Sequence, residues 1–192
     1  MKIINLFPVP IALVELTEHP HIEKELTKNC LEIKKNKEKG GHNWGSEVFN
    51  TCGTYNVFND KNFNKVNTFL LEKVKEFSKT IGYKNKIKDI TGWINIYSKH
   101  DYQEIHNHQG SDISAIYYIK TPLKSGRVYF LTHEITDEGK QEFDKDNFYT
   151  WKRFYMDPKP GQLLIFKSNL FHAVTQNKAN DSKISLAYNI DL

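Results

Sequence analysis

The spacing of apolar residues divides the chain into two parts with different periods. In the first part, apolar residues recur every three or four positions over His19–Lys39 and Asp60–Ile81, which predicts two amphipathic helices. From Ile87 onward they come instead in short runs of β-branched and aromatic residues, which is typical of strands. The pattern therefore predicts a helical first part followed by a β-rich second part.

Turn-forming residues separate eight predicted strands in the second part, which are Ile90–Tyr97, Gln103–His108, Ile113–Lys120, Arg127–Thr132, Phe148–Met156, Gln162–Phe166, His172–Thr175 and Lys183–Asp191. Short strands at such regular spacing favour an antiparallel two-sheet barrel or jelly roll. An edge strand within Ile3–Val14 and short strands near Val48 and Thr54–Phe58 are also predicted. We expect one mainly β domain with flanking helices, in which residues 1–89 pack on a double-stranded β-helix (jelly-roll, cupin-like) core of residues 90–192.

Composition narrows the classes of function. The net charge of +4 is modest and Arg127 and Arg153 are the only arginines, so the sequence does not support nucleic-acid binding. No apolar run approaches the ~20 residues of a membrane span, and the start of the chain does not resemble a signal peptide. Cys30 and Cys52 have no metal-binding spacing, so we expect a reduced, cytoplasmic setting. The oligomeric state stays open.

Three histidines are candidate metal ligands. His106 and His108 are two positions apart on a predicted strand, so their side chains should share a face, and His172 on another strand could join them. Imidazole ligands with open coordination positions suit non-haem iron, although that site usually contains two histidines and one carboxylate. Here His108 takes the place of the carboxylate, and Glu104 or Asp112 could supply one instead. Surface positions are expected for His19, His21, His42, His100 and His133.

Further segments fit a known pattern around these histidines. Trp93–Tyr97 precedes the pair, Ser114–Ile119 and Ser125–Phe130 follow it, and Pro160–Phe166 leads into His172. In this order the segments resemble the 2-oxoglutarate- and Fe(II)-dependent dioxygenases, in particular a small branch found in bacteria and phages. The resemblance runs from about Gly92 to the C-terminus, and the segment Phe7–Pro10 is similar to the start of that branch.

The resemblance implies Fe(II) at the three histidines and 2-oxoglutarate as cosubstrate. In this family a cation on the strand after the distal histidine binds the far carboxylate of 2-oxoglutarate, and Lys183 matches that position, eleven residues after His172. By the same resemblance, Tyr118 would hydrogen-bond this carboxylate. The remaining pocket residues that the resemblance implies are Tyr97, Asn95 and Asn189.

The implied reaction releases succinate and CO2 and hydroxylates a C–H bond of an unidentified substrate. Two alternatives remain, a three-histidine cupin-type metal enzyme that does not use 2-oxoglutarate and a non-catalytic jelly-roll binding module. The long, charged and aromatic segment His133–Tyr155 is interpreted either as a lid on the substrate side or as an ordinary hairpin.

Overall fold

Two antiparallel sheets form the centre of the computed structural model, which describes residues 1–4, 8–41, 44–131 and 150–192. The strand order is β1-β8-β5-β10-β3-β2 in the larger sheet and β4-β9-β6-β7 in the smaller one. The strands are β1 (Ile11–Glu15), β2 (Phe49–Asn50), β3 (Asp89–Tyr97), β4 (Gln103–His106), β5 (Ile113–Lys120), β6 (Val128–Leu131), β7 (Arg153–Met156), β8 (Gln162–Lys167), β9 (His172–Val174) and β10 (Lys183–Asp191). The helices are α1 (His19–Asn36) and α2 (Asn64–Thr80), with 3₁₀ turns at Val57–Asn59 and Lys61–Phe63.

The larger sheet is buried on both faces, and each face has its own residues because side chains alternate along a strand. On β10, Ile184, Leu186, Tyr188 and Ile190 belong to one apolar cluster with the helices. The residues between them, Lys183, Ser185, Ala187 and Asn189, line a cavity on the opposite face. The alternation thus places the helices and the cavity on opposite faces of the larger sheet.

Both helices cover the larger sheet with the apolar stripe that their sequences predict. On α2, Val66, Leu70 and Val74 are fully buried in the cluster that also contains the outer residues of β5 and β10. The helix follows a 3₁₀ turn in which the Asp60 carboxylate accepts the backbone N–H of Asn62 at 2.8 Å. Asp60 therefore caps this region as predicted, although the α-helix itself begins four residues later.

Most predicted strands are present, and β5 and β10 have the predicted bounds. Three strands differ from the predicted ones in their bounds or in their presence. The first strand begins at Ile11, after Pro8 and Pro10, and lies at the edge of the larger sheet. The strand predicted over Thr54–Phe58 is wrong, because the Asn56 side chain accepts the backbone N–H of Phe58 and starts a 3₁₀ turn. The strand predicted to His108 ends at His106.

The N-terminal part contributes strands as well as helices. Strand β1 pairs with β8, and β2 pairs with β3, so residues before 90 complete both edges of the larger sheet. Part of the predicted lid falls on residues 132–149, which lie outside the described residues, and its last residues form β7. Among the helices described, none is long and apolar enough to cross a membrane.

Candidate active site

His106, His108 and His172, the three predicted metal ligands, lie together between the two sheets. One ligand atom from each falls within 4.8 Å of the others. The ring centroids of His106 and His172 are 4.2 Å apart, and that of His108 is 5.3 Å and 5.1 Å from these two. Direct pairing of His106 with His172 across β4 and β9 explains their closeness. The three imidazoles could hold a metal ion.

Each of these histidines bonds to an acceptor through Nδ1. The Nδ1 of His106 is 2.8 Å from the carbonyl oxygen of Glu104, and the Nδ1 of His172 is 3.0 Å from that of Leu170. The Nδ1 of His108 is 2.6 Å from Oδ1 of Asn189. A histidine that donates from Nδ1 has its lone pair on Nε2, which is then the nitrogen that a metal can use.

His108 reaches the cluster by a different route from the one predicted. It lies beyond the end of β4, so alternation along a strand does not determine its direction. Its backbone N–H donates to the carbonyl of Ser168 at 2.8 Å, and that bond fixes the segment after the strand. A register irregularity between Gln103 and His106 shows that the regular ladder is already interrupted there.

The two carboxylates considered as alternative ligands are engaged elsewhere. The Glu104 carboxylate accepts the backbone N–H of Gly45 at 2.5 Å. The Asp112 carboxylate accepts the backbone N–H of Leu192 at 2.8 Å, at the end of the chain. The cluster of possible metal ligands in the described part of the chain therefore contains three imidazoles and no carboxylate.

His172 is kept neutral by its surroundings. Its side chain is almost fully buried, and this burial lowers its pKa well below the usual range; His106 and His108 lower the pKa further. A neutral imidazole is the form that binds a metal.

Lys183 places an ammonium group inside the same cavity. The residue is fully buried, and burial lowers the pKa of this ammonium to about 7. Nζ donates to the carbonyl of Gly126 at 3.2 Å and lies 5.2 Å and 5.5 Å from the ring centroids of Tyr97 and Tyr118. No carboxylate in the described chain forms an ion pair with it. A buried cation of this kind fits an anionic ligand.

Within the described part of the chain, two further polar groups of the cavity have no hydrogen-bond partner. They are the hydroxyl of Tyr118 and the side-chain oxygen of Asn95, both buried. The cavity has a volume of about 580 Å³ and extends from the three histidines to Lys183. Buried polar groups are rarely left unsatisfied, so these two point to a ligand with polar atoms.

The other two predicted pocket residues have partners within the protein. Tyr97 lies opposite Lys183 on the neighbouring strand, and its hydroxyl donates to Oε1 of Gln103 at 2.5 Å. Asn189 lines the cavity, and its side-chain oxygen forms a hydrogen bond with Nδ1 of His108. No sequence pattern points to Gln103 or Ser114 as site residues, because their contacts depend on strand register. The same holds for Trp44, whose ring centroid lies 4.7 Å from that of His106.

The predicted surface position of His19 is wrong. Its side chain is buried, and Nδ1 lies 2.7 Å from the hydroxyl of Tyr117. The start of α1 packs against β5, on the face of the larger sheet away from the cavity, so His19 does not belong to the site. His21 and His100 are exposed as predicted, whereas His42 and His133 lie outside the described residues.

Sequence comparison identifies the family. A family model described as "Putative 2OG-Fe(II) oxygenase" matches residues 91–189, which include all three histidines and Lys183. The chain belongs to this 2OG-Fe(II) oxygenase family. None of the curated proteins matches the sequence significantly.

Solved structures with the same fold include several 2OG-Fe(II) oxygenases. A prolyl-4-hydroxylase from Pseudomonas putida is 12% identical with a TM-score of 0.64, covering 95% of this chain and 92% of the other. A prolyl hydroxylase from Trichoplax adhaerens, in complex with a hypoxia inducible factor peptide, is 13% identical with a TM-score of 0.66, covering 94% and 83%. The epimerase SnoN, in complex with Fe3+, alpha ketoglutarate and nogalamycin RO, is 9% identical with a TM-score of 0.65, covering 95% and 79%.

These likenesses confirm the predicted double-stranded β-helix fold. The cofactor and cosubstrate of this family are Fe(II) and 2-oxoglutarate. The residues of the cavity fit both groups, because its lining contains a cluster of three imidazoles and a buried ammonium.

Proposed function

We propose that the protein is an Fe(II)- and 2-oxoglutarate-dependent hydroxylase whose metal ligands are His106, His108 and His172. The observation that carries this proposal is the buried ammonium of Lys183, which lies 5.5 Å from the ring centroid of Tyr118 and shares one cavity with the histidines and with the unsatisfied hydroxyl of Tyr118. The ammonium and the hydroxyl together provide charge and a hydrogen-bond donor for a carboxylate.

The protein residues bind and orient the reactants. Lys183 would pair with the far carboxylate of 2-oxoglutarate, which favours the charged ammonium, and Tyr118 would donate a hydrogen bond to it. Asn95 differs, because its unsatisfied atom is an acceptor, so its partner must carry a proton. We therefore assign the Asn95 oxygen to a donor on the substrate or a water molecule.

Fe(II), when bound, supplies the redox chemistry by which 2-oxoglutarate, O2 and a substrate C–H bond become succinate, CO2 and an alcohol. The imidazole ligands carry no negative charge, so the keto-acid carboxylate of 2-oxoglutarate would offset the charge of the metal, while the other carboxylate pairs with Lys183. The metal and the cosubstrate would therefore bind with opposite charges in the same cavity, and each would favour the binding of the other.

The test is an anaerobic titration of the Fe(II)-loaded protein with 2-oxoglutarate, followed by the visible absorption band of the chelate. The wild-type protein should develop this band. Lys183→Ala should weaken 2-oxoglutarate binding by about 30-fold or more, since removing one partner of a buried charge pair costs about 2–5 kcal/mol. Lys120→Ala is the matched control, because Lys120 pairs with Asp181 at the protein surface. A folded, iron-loaded wild-type protein without the band would contradict the proposal.

The three-histidine cluster also favours a second candidate, an iron enzyme that does not use 2-oxoglutarate. The observation behind it is the missing carboxylate ligand. Under this alternative, O2 consumption with a substrate would not require 2-oxoglutarate, and Lys183→Ala would leave it unchanged. A non-catalytic module, in contrast, would bind no metal, and metal analysis of the purified protein would then find no bound metal ion.

A further inference from the structure

The three histidines of the candidate metal centre are held in two different ways. His106 and His172 bond to backbone carbonyls two residues earlier, Glu104 and Leu170, so their orientation follows from the local chain. His108 bonds to a side chain 81 residues away, Asn189. Only this histidine of the three depends, in the described structure, on an Nδ1 acceptor that a substitution can remove.

The hydrogen-bond partners of His108 show which of its two ring nitrogens carries the proton. The Oδ1 of Asn189 can only accept, so the contact of 2.6 Å requires a proton on Nδ1 of His108. The Ser114 hydroxyl lies 3.1 Å from the same Nδ1 and donates to Oδ1 of Asn189 at 3.3 Å. Since the Ser114 proton is then used, Ser168, at 2.8 Å, must donate to the Ser114 oxygen.

Strand register creates this group of side chains. Asn189 on β10 is the direct cross-strand partner of Ser114 on β5, and both face the inner side of the larger sheet. Ser168 follows β8, and its carbonyl also accepts the backbone N–H of His108. Ser114 and Ser168 are fully or almost fully buried, so water competes little for these bonds.

We propose that Asn189, supported by Ser114 and Ser168, is a positioning residue that keeps the proton of His108 on Nδ1 and thereby makes Nε2 the metal-binding nitrogen. This role rests on the proposed function, in which His108 is a ligand, and it adds to the position of Asn189 in the wall of the cavity, which the family resemblance implied. The acceptor is a neutral amide, so neither the ligand set nor the partner behind His108 adds negative charge.

The first test reads the tautomer of His108 in the metal-free protein, by long-range ¹H–¹⁵N NMR correlations. Wild-type protein should show a single Nδ1–H tautomer. Asn189→Leu combined with Ser114→Ala removes both acceptors and should shift the population towards Nε2–H. Asn189→Asp keeps an acceptor oxygen and should retain Nδ1–H. An unchanged tautomer in the double variant would overturn the proposal.

The second test measures affinity for Co(II) alone, by chelator competition and the visible spectrum of the bound ion. Asn189→Leu and Asn189→Ala should bind Co(II) about 10- to 100-fold more weakly, as is usual when the partner of a metal-binding histidine is lost. Asn189→Asp should bind at least as tightly as the wild type. Thr91→Ala is the control, because Thr91 is the exposed partner of Asn189 on β3 and should not change the affinity.

The outcomes separate this proposal from the proposed function. If the wild-type protein binds no Co(II), both fail. If the wild type binds Co(II) and forms the 2-oxoglutarate chelate, but Asn189→Leu and Asn189→Ala bind Co(II) equally well, only the positioning role fails. Equal losses in Asn189→Asp and Asn189→Ala would also overturn it, because the retained acceptor should rescue binding.

Discussion

At the scale of single residues, Lys183 is held in an environment that disfavours its charge. Burial lowers the pKa of its ammonium to about 7, and the hydrogen bond to the Gly126 carbonyl only partly replaces water. An anion that binds beside the ammonium offsets the unfavourable free energy of burying its charge. The ligand-free protein is therefore less stable than it would be without this charge, and cosubstrate binding removes the difference. Lys183 should therefore reduce stability in the absence of 2-oxoglutarate and increase it in its presence.

We predict that Lys183→Met makes the ligand-free protein more stable near pH 6. Below the folded-state pKa of about 7, the wild type retains the full cost of a buried charge. Between this value and the unfolded value of ~10.4, the unfolded chain binds one more proton, so wild-type stability should rise with pH and approach that of the variant. Denaturant midpoints of both proteins from pH 6 to 10 check this. Parallel pH profiles would contradict it, and Lys120→Met is the control.

At the scale of elements, the larger sheet separates two functions by the alternation of its side chains. Helix α2 packs on one face through residues such as Leu70, and the cavity lies on the other. Stability and ligand binding are therefore supported by different sets of residues on the same strands. A substitution on the face that packs against α2 should lower stability and leave ligand binding largely unchanged.

We predict that Leu70→Ala lowers the free energy of unfolding by about 2–5 kcal/mol, because Leu70 is fully buried and its removal leaves a cavity. Protein that remains folded should keep its wild-type affinity for Co(II). Thr68→Ala, at an exposed position of the same helix, is the control and should change stability by less than about 0.5 kcal/mol. A large loss of Co(II) affinity in folded Leu70→Ala would show that the two faces are coupled.

At the scale of the whole molecule, the division into residues 1–89 and 90–192 does not separate two cores. One apolar cluster contains Ile22 of α1 and Val74 of α2 together with Tyr117 and Leu186 of the sheet. The first part also supplies both edge strands of the larger sheet. Each part would expose an apolar face without the other.

We therefore predict that the chain unfolds as one domain and that residues 90–192 do not fold alone. Far- and near-ultraviolet circular dichroism of the full chain should give coincident thermal transitions. The fragment should show no cooperative transition. A fragment that folds and binds Co(II) would contradict the single-domain prediction.

The sequence by itself determined the fold class, because periods of about 3.6 and 2 are local properties of the chain. It also predicted the three clustered histidines and, through the family resemblance, the position of Lys183. Tertiary structure decided what depends on strand register and helix packing. It paired Asn189 with Ser114, turned His108 into the cluster from beyond its strand, engaged Glu104 and Asp112 elsewhere, and buried His19 against Tyr117. These contacts join residues far apart in the chain, and no local pattern records which residues will meet.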